Sequence, residues 1–139
     1  MKNYMKVTFL SKNENVIFSR TVAVGFLVNL NLEISILNEI KTAISEAVTN
    51  AIVHGYENMK GVVRIICRIV GNEFELQVAD DGVGIEDIGQ AMQPLFTSKP
   101  DCERSGMGFT VMQTFMDELS VESTPGEGTV VTMRKRIRG

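Results

Sequence analysis

Cysteine is scarce in this chain, and the scarcity is informative. Cys67 and Cys102 stand far apart, so there is neither a disulfide framework nor the ligand spacing of a metal site. A reducing cytosol suits such a sequence. An excess of basic residues is also missing. The formal net charge of −3 argues against a general nucleic-acid binder. No apolar run reaches the length of a membrane span, and the N-terminal MKNYMKVTFLSKNE lacks the long apolar core of a signal peptide. No Gly-x-x-x-x-Gly-Lys-Ser/Thr run occurs, which excludes a P-loop, and no Gly-x-Gly-x-x-Gly is complete. The His-Arg-Asp and Asp-Phe-Gly triplets of the common protein kinases are absent as well. Repeats, low-complexity tracts and interdomain linkers are not found.

What is present fits one domain over residues 1–139, with 44% hydrophobic and 22% charged residues. A chain of this length buries roughly two thirds of its unfolded surface, enough for a core and a ligand cleft. The stretch ILNEIKTAISEAVTNAIVHG, residues 36–55, carries Leu37, Ile40, Ile44, Val48 and Ile52 at helical spacing. Glu46, Asn50 and His54 recur every fourth residue and stack along a different face. Taken alone, that polar set is what any solvated helix stripe looks like.

The remaining elements are read in chain order. Met5 to Leu10 alternates as a short strand. Glu14 to Leu30 reads as a first helix, with Ile17, Val24, Leu27 and Val28 expected inward, and Asn29 and Asn31 break the chain before the second helix, which ends near Gly55. Gly61 to Val70 places Val63, Ile65, Cys67 and Ile69 on one face and Arg64 and Arg68 on the other, a half-exposed strand. After the Gly71-Asn72 turn, Phe74, Leu76, Val78 and Asp80 share a face by period two. Residues 86–105, with Pro94 and Pro100, lack clear periodicity, and a loop of that length in a small domain is usually functional or disordered. FTVMQTFMDEL gives a third helix through Leu119. Two final strands, near Leu119 to Ser123 and Thr129 to Ile137, flank a Pro125-Gly126 turn, and the basic tail RKRIRG is expected to be solvated. These elements lack a regular βαβα rhythm. The expected fold is α/β, a two-layer sandwich with helices on one face of a mixed β-sheet.

Chemistry concentrates in a few places. Six of the 12 glycines form Gly82/Gly84, Gly106/Gly108 and Gly126/Gly128. Gly106 and Gly108 open onto a predicted helix, where free N–H groups and the positive dipole end suit a phosphate. Asp80 lies on an apolar strand face, where a carboxylate is costly unless something donates to it. It either caps the neighbouring turn or accepts from a ligand such as an adenine amine. Thr129, on a face with Val131 and Met133, is a second small polar group in an apolar setting, the usual make-up of a base pocket.

Glu46-x-x-x-Asn50, Asp80-Asp81-Gly82-Val83-Gly84, Ser105-Gly106-Met107-Gly108 and Gly128-Thr129 resemble, in order and rough spacing, the N, G1, G2 and G3 boxes of the GHKL (Bergerat-fold) ATP-binding superfamily, which includes gyrase and the histidine kinases. EAVTNAIVHGYEN, PLFTSKP and ERSGMGFTVM are similar to one branch, the bacterial anti-sigma factor serine kinases, over nearly the whole chain. The resemblance implies a protein serine kinase that uses ATP and Mg2+ and yields ADP. It implies Glu46 as the general base, Asn50 as the Mg2+ ligand, and Asp80 as acceptor from the adenine amine, with Thr129 supporting it through water. Gly82 would belong to the nucleotide-binding residues, and Gly84 would give the base room. Thr97, Ser98, Lys99, Arg104 and Ser105 would belong to a lid near the phosphates, which Gly106 and Gly108 would cradle. The implied partners are a sigma factor, an anti-anti-sigma factor as phosphorylation substrate, and a second copy in a homodimer, with no direct nucleic acid and no membrane. Arg20, on the outer side of the first helix, is a candidate partner contact, and Met59 and the N-terminal strand are candidates for dimerisation. The alternative is a stand-alone GHKL ATPase or a histidine-kinase-like ATP-binding module without serine kinase activity. A histidine kinase needs an acceptor histidine on a dimerisation helix, and the single histidine here, His54, has no such helix.

Overall fold

A computed structural model describes residues 3–57, 59–93 and 108–137. Strand β1 (Asn3–Leu10) leads into helix α1 (Glu14–Leu27), extended by a 3-10 turn at Val28–Leu30. Asn31, at φ 53°, reverses the chain in the left-handed region that asparagine tolerates. Helix α2 (Ile34–Asn50) follows and loosens into a π-helical turn at Ala51–Gly55. Strands β2 (Val62–Val70) and β3 (Glu73–Asp80) form a hairpin across Gly71. A short helix α3 (Ile88–Ala91), helix α4 (Gly108–Phe115) and strands β4 (Glu118–Thr124) and β5 (Gly128–Arg136) complete the described chain.

The five strands lie in the order β1-β2-β3-β5-β4. All four pairings are antiparallel, where a mixed sheet was expected. The reason is in the connections. Two helices separate β1 from β2, so the chain returns in the opposite sense. β3 and β4 do run the same way, since each is antiparallel to β5, but β5 lies between them. The two-layer sandwich itself is the expected one.

Strand periodicity sets the two faces. Val63, Ile65 and Cys67 of β2, Phe74, Leu76 and Val78 of β3, and Val131 and Met133 of β5 are buried beneath the helices. Cys67 is a core residue, and burial pushes its thiol up to about 12. Ile40, Ile44 and Val48 of α2 and Ile52 of the π-helical turn pack on this face as their spacing requires. The opposite face carries a charged row across the strands. Arg68 meets Glu75 at 3.2 Å, and Arg134 reaches Glu75 at 3.7 Å and Glu118 at 3.1 Å. Such half-exposed pairs contribute little individually.

Three expectations are corrected. In α1 the inward residues are Ser19, Ala23 and Leu27, while Ile17 and Val28 are exposed at 61% and 59%. This helix is apolar on several sides, so spacing could not choose its face. Helix α4 stops at Phe115 rather than Leu119, because Glu118 already pairs with Arg134 in the sheet. The basic tail is not simply solvated. The Lys135 ammonium donates to the Phe115 carbonyl at 2.6 Å, closing the C-terminus of α4, where a cation complements the helix dipole.

Leu76 is fully buried in the central strand. Leu76→Ala should therefore lower the unfolding free energy by about 2–5 kcal/mol. Arg134→Ala should lower it by less than about 1 kcal/mol. Urea denaturation of both variants checks this, and comparable losses would contradict the division into a covered and an open face.

A candidate nucleotide site between the helices and the sheet

The end of α2, the loop after β3, the start of α4 and the start of β5 enclose a cavity of about 460 Å³. Asn50, Asp80, Gly84, Gly108 and Thr129 line it, together with apolar Val78 and Val131. Two further predicted residues act from just behind this wall. A Cβ on residue 108 would lie 3.1 Å from Asn50 Nδ2 and 3.3 Å from Glu46 Oε2, so the acid and the amide converge on the N-terminal turn of α4. Gly82 donates its N–H to Asp80 Oδ1 at 2.9 Å.

Asp80 is the electrostatic centre. It is 6% exposed, and burial raises its carboxyl from the ordinary 3.8 to about 6, against the opposing pull of the Gly82 and Thr129 N–H groups. The neighbouring Asp81 behaves in the opposite way. Arg64 grips it with two bonds, at 2.7 and 3.0 Å, and holds it below the usual carboxylate range. One step of the β-strand thus separates an acid aimed into the cavity from an acid tied to the open face.

Close backbone approach explains the glycines here. Gly55 lies against the Asp80 carboxylate, where a Cβ would sit 2.8 Å from Oδ1. Its carbonyl accepts from Val83 N at 2.7 Å. A Cβ on Gly82 would fall 1.9 Å from that same carbonyl oxygen. Gly84 has φ 78°, and its α-carbon backs onto the β4–β5 turn, where Gly126 N donates to the Val83 carbonyl at 2.7 Å. The loop 82–85 is clamped from both sides.

Several participants escaped the sequence reading. Gly55 reads as a helix terminator, but its packing on Asp80 depends on the π-helical turn, which no spacing announces; such turns are frequent at functional sites. Tyr56 is buried, donates to the Val62 carbonyl at 2.5 Å and accepts from Asp81 N at 2.8 Å, fixing the end of β3. His54 and Glu57 also line the cavity. Thr97, Ser98, Lys99, Arg104, Ser105 and Gly106 lie outside the described residues. Arg20 sits half-buried on α1, away from this cavity. Met59 is exposed at 72%.

The donor set suits a nucleotide with a hard divalent cation. Among the described residues there is no cluster of three or more acidic, histidine or cysteine side chains able to cage a metal. Mg2+ does not need one, since it is normally held by one or two protein oxygens together with substrate phosphates and water. The Asn50 amide beside Glu46 provides such oxygens.

Comparison with known proteins agrees with this geometry. Residues 9–135 match the family model of the histidine kinase-like ATPase domain. The chain is 58% identical over 135 residues to an anti-sigma F factor of Thermoanaerobacter sp. (strain X514), covering 97% of this chain and 94% of that protein. It is 56% identical, with the same coverage, to the anti-sigma F factor of Caldanaerobacter subterraneus subsp. tengcongensis. Among solved structures, the RsbU and RsbW domains of a Mycobacterium tuberculosis protein superpose with a TM-score of 0.71 at 20% identity, over 99% of this chain and 34% of that one. The catalytic domain of the histidine kinase ThkA superposes with a TM-score of 0.61 at 15% identity, over 96% of both chains. At these identities the two structures speak for the fold. No helix among the described residues is long and apolar enough to cross a membrane.

The state of Asp80 leads to a stability prediction. Its folded carboxyl holds a proton more tightly than the unfolded one, so its contribution to stability declines as pH rises from about 4 to about 6. The decline should be on the order of 3 kcal/mol, at about 1.4 kcal/mol per pKa unit. Asp80→Asn has no such titration, so the variant should gain on the wild type across that window in paired denaturation curves. Parallel curves would show that Asp80 is ionised normally.

Proposed function

This chain belongs to the histidine kinase-like ATPase domain family, in the branch that carries the anti-sigma F factors, and on that premise we propose that it is a cytoplasmic, ATP-dependent protein serine kinase and anti-sigma factor. Residues 1–139 act as a single ATP-binding kinase domain. The domain binds and inhibits a sporulation sigma factor, and it phosphorylates a serine of the anti-anti-sigma antagonist, which inactivates that antagonist. The observation that carries the reading is Asp80, a satisfied carboxylate buried in the cavity wall, with the Glu46–Asn50–Gly108 cluster bordering the same space.

The roles follow from these positions. Ionised Asp80 accepts from the adenine amine, and Thr129 supports it through water. Gly82 and Gly84 keep the loop close without side chains in the way. The Asn50 carbonyl oxygen would hold Mg2+, which when bound supplies charge neutralisation on the phosphates. N–H groups at the start of α4, from Gly108 on, would receive phosphate oxygens, and Gly106 is proposed to cradle the same phosphates. Glu46 takes the proton from the attacking serine hydroxyl. Thr97, Ser98, Lys99, Arg104 and Ser105 complete the site as lid residues in this proposal. Phosphoryl transfer is largely positioning and charge neutralisation, so the Asn50 and α4 end should supply more of the acceleration than the base.

Partner binding rests on the first helix. Ile17 and Phe18 are exposed on α1, where the Phe18 ring meets Phe9 of β1 edge to face, and Arg20 follows on the same helix. An apolar surface rimmed by a charge suits a homodimer contact or the sigma factor and its antagonist. ATP and ADP are the nucleotides that would alternate in the site.

Purified protein incubated with labelled ATP, Mg2+ and the antagonist should place label on the antagonist's serine. Glu46→Ala should keep nucleotide binding and lose about 10²–10⁴-fold in transfer rate. Equal loss of binding and transfer would make Glu46 structural. Free phosphate without labelled antagonist would favour the stand-alone ATPase or histidine-kinase-like module instead.

A further inference from the structure

Strand β2 ends differently along its two edges. Toward β1 the ladder runs on past the last strand pair, Leu10 with Val62, because Ser11 N donates to the Gly61 carbonyl at 2.9 Å. Gly61 thus turns its backbone groups to β1, and by the alternation of a ladder those of Val62 face β3. Toward β3, however, pairing stops at Val63 and Asp80, although the same register would next join Val62 to Asp81. There the Tyr56 hydroxyl stands between the strands. It accepts from Asp81 N at 2.8 Å and donates to the Val62 carbonyl at 2.5 Å. These are the donor and the acceptor that one more rung would have joined.

A phenol can fill that gap because it has one proton to give and lone pairs to accept with. It satisfies both strands and keeps them an atom apart. The ring that carries it has a fixed seat. Tyr56 is buried, its N–H bonds the Ala51 carbonyl at 3.1 Å, and a Cβ on Gly61 would fall 2.2 Å from the ring edge. Gly61 is held in turn by Ser11, whose Oγ accepts from Gly61 N at 3.0 Å. β3 parts from β2 at the residue where the chain enters the loop 82–85. Asp80, one step before, and Val83, Gly84 and Ile85, just after, all line the cavity.

We propose that Tyr56 is a positioning residue for the nucleotide, its hydroxyl a wedge in the β2–β3 ladder that places the loop after Asp80 against the cavity. Tyr56 stands behind the residues that line the cavity, so it acts through the wall and not on the ligand. This role rests on the nucleotide reading given above and adds the residue that sets where its wall lies. Phenylalanine keeps the ring and removes the wedge. Asp81 N and the Val62 carbonyl are then free to close on each other, which lengthens the ladder by one rung and draws the start of the loop toward β2.

The test is calorimetry of Mg-ADP and Mg-ATP binding on the intact chain, with urea denaturation alongside. Tyr56→Phe should weaken both nucleotides by about fivefold or more, the scale of one net hydrogen bond. The factor should be the same for ADP and ATP, because the wedge acts at the wall and not at the phosphate end. Gly61→Ala, whose added carbon displaces the ring with its hydroxyl intact, should cause the same loss and add little to it in the Tyr56→Phe background. Should Tyr56→Phe fail to fold, Gly61→Ala takes its place in the same comparison. A lower urea midpoint with unchanged nucleotide affinity would make the hydroxyl merely structural and overturn the role. A loss confined to ATP, or additive losses in the double variant, would overturn it as well, and all three results leave the nucleotide reading intact. A wild type that binds neither nucleotide sinks both.

Discussion

The arrangement around Asp80 is the constraint to which the rest of this structure answers. A carboxylate beneath a helical layer is unfavourable unless hydrogen bonds replace its water. Gly82 supplies one such bond, and Gly55 lets the π-helical turn pack directly on the acid. The demand spreads outward. Val83 is held by the Gly55 carbonyl on one side and by Gly126 N on the other, while Tyr56 and Arg64 fix Asp81 so that the strand cannot rotate its two acids. Three segments distant in sequence are thereby locked around one cavity wall.

The other end of the cavity is built on a different principle. There the chain offers an amide, an acid and a helix start, groups that suit charged phosphates and a cation rather than an aromatic base. α4 is secured at its far end by Lys135, which satisfies the Phe115 carbonyl. A helix anchored at its C-terminus can hold its N-terminus steady against a ligand. The apolar floor of Val78 and Val131 joins the two halves.

Much of this was legible in the sequence, and the failures have physical reasons. Burial alternates along β2 and β3 and from Thr129 to Met133 in β5, so the period of two places Asp80 and Thr129 on the covered face. Helix α2 has one apolar stripe and was oriented correctly. Helix α1 is apolar around much of its circumference, so Ile17 and Val28 were placed inward although Ser19 and Ala23 face the core. Lys135 read as part of a solvated tail because a side chain reaching the end of another helix leaves no local mark. The π-helical turn and Tyr56 leave no local mark for the same reason: their importance comes from contacts between distant segments. The all-antiparallel pairing depended on β5 inserting between β3 and β4, which no single strand encodes.

The central claim is that one cavity holds a purine at Asp80 and a phosphate-bound cation at Asn50. A crystal structure with Mg2+ and a non-hydrolysable ATP analogue tests it most directly. The account predicts the exocyclic amine within hydrogen-bonding distance of the Asp80 carboxylate and the Asn50 amide oxygen on the metal. A nucleotide seated elsewhere, or in this cavity with its base turned away from Asp80, would contradict it.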